Sequence, residues 1–176
     1  LRQFLDQGGP FSHQNLPKFY DRERIRLDGK HVKVQWYQVP FEDGSDPTSP
    51  DKRPSWKSII EKDKKGELNF QDASIGQPFG PSWSTTWFKV LLKLPSHWIG
   101  KKIIFDWDCS NEGVVIDPET LLPATAFSGN ERTEYQLPKN ESGEYFFYIE
   151  SGNNGMFGCG AGSTINPPDD HRFFVL

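Results

Sequence analysis

The fold of this chain is decided by residues 79–90, which read Phe-Gly-Pro-Ser-Trp-Ser-Thr-Thr-Trp-Phe-Lys-Val. Gly, Pro and Ser crowd the first half, where backbone turns and close approaches are made. Thr, Trp, Phe and Val fill the second half, and these β-branched and aromatic residues favour a half-buried strand. The stretch therefore predicts a turn that leads into a β-strand. It holds no nucleophile, general base or metal-binding cluster.

The pattern stays β on both sides of this stretch. Alternating residues predict a strand over 31–39, and further short strands are predicted over 85–94, 101–108, 113–116, 133–137, 145–150 and 172–176. Turn residues separate them, and no long helical pattern lies between them. Short strands at this spacing favour an antiparallel β-sandwich, a mainly β fold, over a fold of alternating strands and helices.

One helix is predicted before the decisive stretch. Ser55 is placed as the N-cap of a helix over 56–65, and Gly66 ends it. Three apolar residues share one face of this helix at helical spacing, and we expect that face to point to the core: Trp56, Ile59 and Ile60.

The first thirty residues are predicted to form an arm with short helices over 1–5 and 16–25. The arm holds too many apolar side chains for a free tail: Phe4, Leu5, Phe11, Leu16, Phe19 and Tyr20. We expect it to pack on the domain or on a partner. The chain is therefore divided into an arm, residues 1–30, and a β-sandwich domain, residues 31–176.

Composition excludes several classes of protein. The chain has 176 residues, enough for one well-buried core, and its 6 Trp and 14 Phe indicate a core built from large rings. With a net charge of −4, the chain lacks the excess of basic residues that is typical of nucleic-acid-binding proteins. No apolar run approaches the roughly 18 residues of a membrane span. Residues 1–6 show neither a signal-peptide core nor a starting Met, so we expect a fragment or a processed piece.

Two cysteines, Cys109 and Cys159, lie fifty positions apart. A secreted domain with so many loops usually carries more, so two free thiols in a reducing compartment are preferred to a single disulfide. The triplet Asn140-Glu-Ser142 is a glycosylation sequon in a predicted exposed turn, and it is unused if the protein is cytosolic.

Three groups of residues could carry chemistry, and each has a simpler explanation. Asp169, Asp170 and His171 form the tightest acid–histidine cluster, but they follow two prolines and favour a surface turn. The carboxylates of Glu131 and Glu134 could act as a glycosidase pair, yet Arg132 between them favours an ion-paired loop. Residues 152–162 contain five glycines but lack the lysine of a nucleotide loop, which favours a tight bend.

Tryptophans on a β-sandwich can also stack on sugar rings. Four of them fall in the predicted β region: Trp83, Trp87, Trp98 and Trp107. Strands as apolar as those around Trp87 and Trp107 more often place the ring in the core, which is the interpretation we favour. We expect no catalysis by this stretch alone.

Eight segments, in the same order along the chain, resemble the N-terminal region of glycoside hydrolase family 38 α-mannosidases. The matching branch is the cytosolic and vacuolar one, with fungal members the most similar. The segments are Pro17–Asp21, Lys33–Phe41, Ser49–Trp56, Gln77–Val90, Cys109–Gly113, Phe127–Tyr135, Asn153–Gly158 and Asn166–Pro168. They extend over nearly the whole chain.

The resemblance implies a part of a larger enzyme. Members of this branch remove terminal α-linked mannose from free oligosaccharides with retention of configuration, using a zinc ion held by two His and two Asp. Those residues belong to a barrel domain downstream of the matching region, and the family's His-Cys-His-Ile-Asp motif has no counterpart here. We therefore assign no catalytic, cofactor-binding or metal-binding residue in this chain, Asp169, Asp170 and His171 included.

The resemblance also implies a jelly-roll module of the galactose-binding type, used for scaffolding and homo-oligomer assembly, with the arm at subunit contacts. It implies a cytoplasmic protein that a selective-autophagy receptor delivers to the vacuole. Two alternatives stay open at this point. One is an independent carbohydrate-binding module, which an exposed pair of tryptophans on one sheet face would favour, and the other is a free-standing protein-interaction domain.

Overall fold

The computed structural model describes residues 25–40, 53–79, 84–109, 111–128, 132–153 and 174–175. Its strands are β1 Val32–Gln38, β2 Gln71–Asp72, β3 Pro78–Phe79, β4 Ser84–Lys93, β5 Ile104–Asp106, β6 Glu112–Ile116, β7 Pro123–Phe127, β8 Glu134–Gln136, β9 Glu144–Asn153 and β10 Phe174–Val175. One α-helix, α1, spans Trp56–Lys64, and a 3-10 turn spans Ser96–Trp98. The helices predicted over 1–5 and 16–25 lie outside the described residues.

All paired strands run antiparallel, which confirms the predicted fold class. Six strands form one sheet in the order β2-β1-β4-β9-β6-β7, and two small sheets pair β10 with β3 and β5 with β8. The longest pairing joins β4 and β9 at the centre, from Ser84 opposite Asn153 to Lys93 opposite Glu144. The stretch that decided the sequence prediction thus supplies the central strand of the large sheet.

Strand β7 was not predicted. Its sequence, Pro-Ala-Thr-Ala-Phe, begins with a residue that cannot donate to a strand ladder and has few large side chains. It lies at the edge of the large sheet, where only β6 pairs with it. An edge position tolerates the proline, so local propensity was a poor guide here.

The inner core fills the space between the large sheet and the two small ones. Aromatic rings meet there edge to face, with centroids 4.8 Å apart for Phe88 and Trp107, 5.0 Å for Phe79 and Phe88, and 5.2 Å for Phe105 and Phe147. Since these rings come from β3, β4, β5, β9 and the segment after β5, the core joins two β layers. This is the predicted sandwich, with the expected aromatic filling.

Helix α1 covers part of the outer face of the large sheet. Ile59 and Ile60 are buried against Trp87, Ile116 and Tyr148. Trp56 is 37% exposed, so the prediction of a three-residue core stripe holds for the two isoleucines and is wrong for the tryptophan. The isoleucines make the contact with the sheet one turn further along, which leaves the first helical residue at the margin of the buried area.

A partly buried ion pair fixes the helix to the sheet. The ammonium of Lys89 lies 2.8 and 3.0 Å from the two carboxylate oxygens of Asp63, and 4.4 Å from the centre of the Phe70 ring. The hydroxyl of Tyr148 donates to the same carboxylate at 2.5 Å. Burial is the main cause that raises the pKa of Tyr148, and this hydrogen bond to Asp63 raises it further. The hydroxyl therefore keeps its proton and remains a donor.

Candidate functional site

A buried polar cluster closes one end of the inner core. It consists of side chains that are 0% to 4% exposed, which we call the Asn153 cluster: Ser84, Thr86, Cys109, Asn111, Ser151 and Asn153. They come from the start of β4, the end of β9 and the segment that enters β6. Polar groups this deeply buried are stable only when they are hydrogen-bonded.

Asn153 lies at the centre of the cluster. Its amide nitrogen donates to the hydroxyls of Ser84 at 2.5 Å and Thr86 at 2.7 Å, so it links β9 to β4. Its amide oxygen accepts from the amide nitrogen of Asn111 at 3.3 Å. The Thr86 hydroxyl in turn donates a hydrogen bond to the amide oxygen of Gln38 in β1, at 3.0 Å.

Asn111 organises the other half of the cluster. Its amide oxygen accepts from the Ser151 hydroxyl at 2.8 Å and from the Cys109 thiol at 2.7 Å. Burial raises the pKa of Cys109 to about 11, so the thiol stays protonated at neutral pH and can donate. The Ser151 hydroxyl also lies 3.2 Å from the backbone oxygen of Glu112. The cluster thus ties four neighbouring strands of the large sheet together.

Three of the family-like segments meet at this cluster. Gln77–Val90 contributes Ser84 and Thr86, Cys109–Gly113 contributes the thiol and Asn111, and Asn153–Gly158 begins with the central asparagine. All three segments were identified from the sequence, but their convergence was not predicted. A signal was present, since small polar residues replace apolar ones at the inward positions of the strand ends, at 84 and 86 in β4 and at 151 and 153 in β9.

The chemistry of the cluster indicates a structural role. Its members are uncharged at neutral pH, and the hydrogen bonds described above join them to one another, to the side chain of Gln38 and to the backbone. None of them is arranged as a nucleophile beside a base, which acyl or glycosyl transfer through a side chain needs. What the arrangement can do is hold the ends of the neighbouring strands in one geometry.

The tryptophan predictions divide according to burial. Trp87 is 0% exposed and Trp107 5%, which confirms the core interpretation for both. Their indole nitrogens have no hydrogen-bond partner among the described residues. Trp98 is partly exposed in the 3-10 turn, with its ring edge to face with His97 at 6.3 Å. Trp83 lies outside the described residues. Burial of Trp87 and Trp107 removes the basis for stacking a sugar on these strands.

The acidic candidates are only partly described. Asp169, Asp170, His171 and Glu131 lie outside the described residues, whereas Glu134 is exposed on β8 and Arg132 is exposed beside it. Within the part of the chain that the structure describes, no group of three or more His, Cys, Asp or Glu could hold a metal ion. That Asp169, Asp170 and His171 have no metal-binding role stays a prediction.

The remaining predicted features are placed as follows. Cys109 is a free, buried thiol, while Cys159 lies outside the described residues. Asn140 sits in the predicted turn, where its side-chain oxygen accepts from the Ser142 backbone at 2.8 Å and its nitrogen donates to the Glu144 backbone at 2.6 Å. Gly152 belongs to β9, and the rest of the glycine-rich segment, residues 154–162, is not described. No helix of the described ranges has the length and apolar character to cross a membrane.

The geometry defines an antiparallel β-sandwich domain whose described residues show a structural cluster and no assembled reaction centre. Comparison with known proteins gives its family. Residues 38–176 match the family model described as "Alpha-mannosidase, jelly roll domain". The chain belongs to this family.

Three relatives extend the comparison. The chain is 71% identical over 178 aligned residues to "Alpha-mannosidase" of Saccharomyces cerevisiae, which covers all of the chain and 16% of the yeast protein. It is 43% identical to "Alpha-mannosidase G" of Dictyostelium discoideum, over 62% of the chain and 10% of the relative. It is 34% identical to human "Alpha-mannosidase 2C1", over 62% of the chain and 11% of the relative. These matches confirm the resemblance to the N-terminal region of a fungal α-mannosidase.

Proposed function

We propose that this chain is the non-catalytic jelly-roll domain of a larger, retaining, zinc-dependent α-mannosidase of glycoside hydrolase family 38. The parent enzyme hydrolyses terminal α-linked mannose from free oligosaccharides, and so serves oligosaccharide catabolism. The observation that carries the proposal is the 71% identity to a yeast α-mannosidase over the whole chain, combined with a match that spans 16% of that relative.

The assignment as non-catalytic is supported by the chemistry of the described residues. A retaining glycosidase needs two carboxyl groups about 5–5.5 Å apart, one of them as the nucleophile. The most deeply buried polar residues described here are amides, hydroxyls and a thiol, which cannot supply that pair. We place the zinc ion, the nucleophile and the downstream catalytic domain in the rest of the enzyme.

The domain's own work is scaffolding and homo-oligomer assembly. The Asn153 cluster supports the scaffolding part, since it joins residues of three family-like segments at the ends of neighbouring strands. We assign this end of the domain to the entrance of the neighbouring active site, where it limits how a long oligosaccharide approaches.

We assign the parent enzyme to the cytoplasm, with delivery to the vacuole by a selective-autophagy receptor. The sparse cysteines support this location, because Cys109 is a buried free thiol in a loop-rich domain where an oxidising compartment favours disulfides. A fluorescent tag on the full-length protein tests the assignment. Signal that stays in the secretory pathway contradicts it.

The test of the enzymatic proposal uses the full-length polypeptide. It should hydrolyse an aryl α-mannoside, lose that activity when zinc is chelated and regain it when zinc is returned. Light scattering should give a multiple of the subunit mass. Absence of hydrolysis by zinc-loaded protein contradicts the enzymatic part, and a single-subunit mass contradicts the assembly part.

The entrance role has its own measurement. Asn153→Ala in the full-length enzyme should raise KM for a mannose oligosaccharide more than KM for a small aryl mannoside, because only the longer substrate reaches the entrance. Asn69→Ala, at an exposed position after helix α1, is the control. Equal changes in KM for the two substrates would remove the entrance role.

A further inference from the structure

An apolar pair is exposed in the middle of the large sheet's outer face. Leu91 and Phe146 are direct partners on the two central strands, β4 and β9, and they are 39% and 41% exposed. The solvated face of an antiparallel sheet normally carries polar side chains. Helix α1 covers the same face further along, and the Phe146 ring touches the ring of Tyr148 beneath that cover at 5.1 Å. The apolar pair therefore extends the apolar cluster under helix α1 beyond the area that the helix covers.

Charges around the pair neutralise one another. The ammonium of Lys93 lies 3.2 Å from the Glu144 carboxylate, and that of Lys33 lies 3.2 Å from the Asp72 carboxylate. A surface with an apolar centre and an internally paired rim suits an apolar polypeptide segment better than a charged ligand. We call the apolar pair with these four charged residues the Leu91 patch.

We infer that residues 1–24 of the same chain cover the Leu91 patch. This segment carries six large apolar side chains that need a partner surface: Phe4, Leu5, Phe11, Leu16, Phe19 and Tyr20. It is connected to β1 beside the patch, because Val32 pairs with Leu92 and Lys33 pairs with Leu91. The distance from β1 to Phe146 is two strand spacings, roughly 10 Å, which 24 residues span many times over.

The sheet leaves a path for the segment. Strand β2 pairs with Gln35 and Trp36, so in the described part of the chain β1 forms the sheet edge beside Val32. The carboxylate of Asp28 accepts from the backbone nitrogens of His31 at 2.7 Å and Val32 at 3.0 Å, and it fixes the chain at that corner. From there the preceding residues can cross the edge to the outer face.

The size of the patch argues for a tethered occupant. A whole aromatic side chain offers roughly 150–250 Å², so the two partly exposed side chains present on the order of 150 Å². A stable contact between separate subunits needs about 1,000 Å² or more. A segment of the same chain is already held close, so a small apolar surface is enough to dock it. This favours the chain's own arm over the subunit contact that the resemblance implied for it.

Radical footprinting of the full-length protein tests the inference. Deleting residues 1–24 should raise oxidation of Phe146 severalfold and leave oxidation of Ile75, which is 58% exposed on the turn between β2 and β3, unchanged. Unchanged Phe146 oxidation overturns the inference, because something else then covers the patch or nothing does. Protection that disappears when the sample is diluted to single subunits also overturns it, because the arm of a second copy is then the occupant.

A substitution gives an independent measurement. Leu91→Gln should release the arm, so trypsin should cleave at Lys18, Arg22 and Arg24 severalfold faster than in the unmodified protein. Leu122→Gln is the matched control, since Leu122 is 62% exposed and lies on the β6–β7 turn. Equal cleavage rates in the two variants overturn the inference. Neither residue belongs to the inner core, so both variants should fold.

Discussion

The side-chain amide of Asn153, at the end of β9, donates to the hydroxyl of Thr86 near the start of β4 at 2.7 Å, with both side chains 0% exposed. A buried hydrogen bond between the two central strands, at the end where residues of three family-like segments meet, indicates a domain built to hold its strand ends together. Loss of the Asn153 side chain should weaken the whole cluster, because Asn153 also forms hydrogen bonds with Ser84 and Asn111.

Asn153→Ala should lower the free energy of unfolding of the domain by about 1–3 kcal/mol, since it leaves buried partners without hydrogen bonds. The measurement is a urea titration followed by tryptophan fluorescence. Asn69→Ala, at an exposed position, should change the same quantity by less than about 0.5 kcal/mol. Equal effects of the two substitutions would show that the cluster does not stabilise the strand ends.

Trp87→Ala should cost about 3–5 kcal/mol, because it removes a fully buried ring from the outer core under helix α1. Trp56→Ala, on the same helix-covered side but 37% exposed, should cost clearly less. Thermal unfolding of both variants makes the comparison. Unchanged stability of the Trp87 variant, together with loss of sugar binding, would instead support a carbohydrate-binding module.

The ion pair under helix α1 predicts a strong coupling. The side chains of Lys89 and Asp63 are 18% and 11% exposed, so removal of one charge leaves the other in a poorly solvated place. Lys89→Ala alone should cost about 3–5 kcal/mol. The double variant with Asp63→Ala should cost less than the sum of the two single ones. A double-mutant cycle measures this, and strict additivity would contradict the coupling.

Cys109 predicts a pH dependence. Burial raises its pKa from 9.0 to about 11, so between these values the native thiol keeps a proton that the unfolded chain has lost. This contribution to stability is complete below pH 9 and falls as pH rises towards 11. In a Cys159→Ala background, Cys109 should react slowly with an aromatic disulfide at pH 8 and rapidly once urea unfolds the domain. A fast native reaction at pH 8 would show that the thiol is accessible.

Gly143 predicts a steric cost. Its φ of +68° lies in the left-handed region, and a Cβ there would lie 3.0 Å from the side chain of Ile99. Gly143→Ala should therefore destabilise the domain more than Gly76→Ala, where φ is +81° and nothing lies within 4 Å of the added carbon. Left-handed backbone alone costs about 1–2 kcal/mol, so the difference between the variants isolates the clash. Equal unfolding midpoints would contradict it.

Much of the fold could be predicted from the sequence because its central strands are locally consistent. The residues of β1, β4 and β9 combine alternation with β-branched and aromatic side chains, so propensity and burial agree. Strand β7 could not be predicted, since its pairing with β6 rather than its own residues makes it a strand. The exposure of Trp56 was missed because helical spacing fixes which residues share a face, but not how far the sheet extends beneath it.

The candidate site was harder to predict. Motifs such as Cys109–Gly113 were recognised by resemblance. Their meeting point, however, depends on the register that places Ser84 opposite Asn153 on two strands that are far apart in the sequence. No spacing rule in one sequence gives that register. The prediction that Trp87 and Trp107 are core residues succeeded because each lies in a stretch rich in large apolar residues, Trp87-Phe-Lys-Val90 and Ile103-Ile-Phe-Asp-Trp107.

The intact mass of the polypeptide in its source tests the central claim most directly. The account predicts a mass several times the 20.2 kDa of this sequence, as the yeast relative's length suggests, with the zinc site in the additional part. A mass near 20.2 kDa would mean a stand-alone β-sandwich, and the proposal of an α-mannosidase domain would be wrong for this protein.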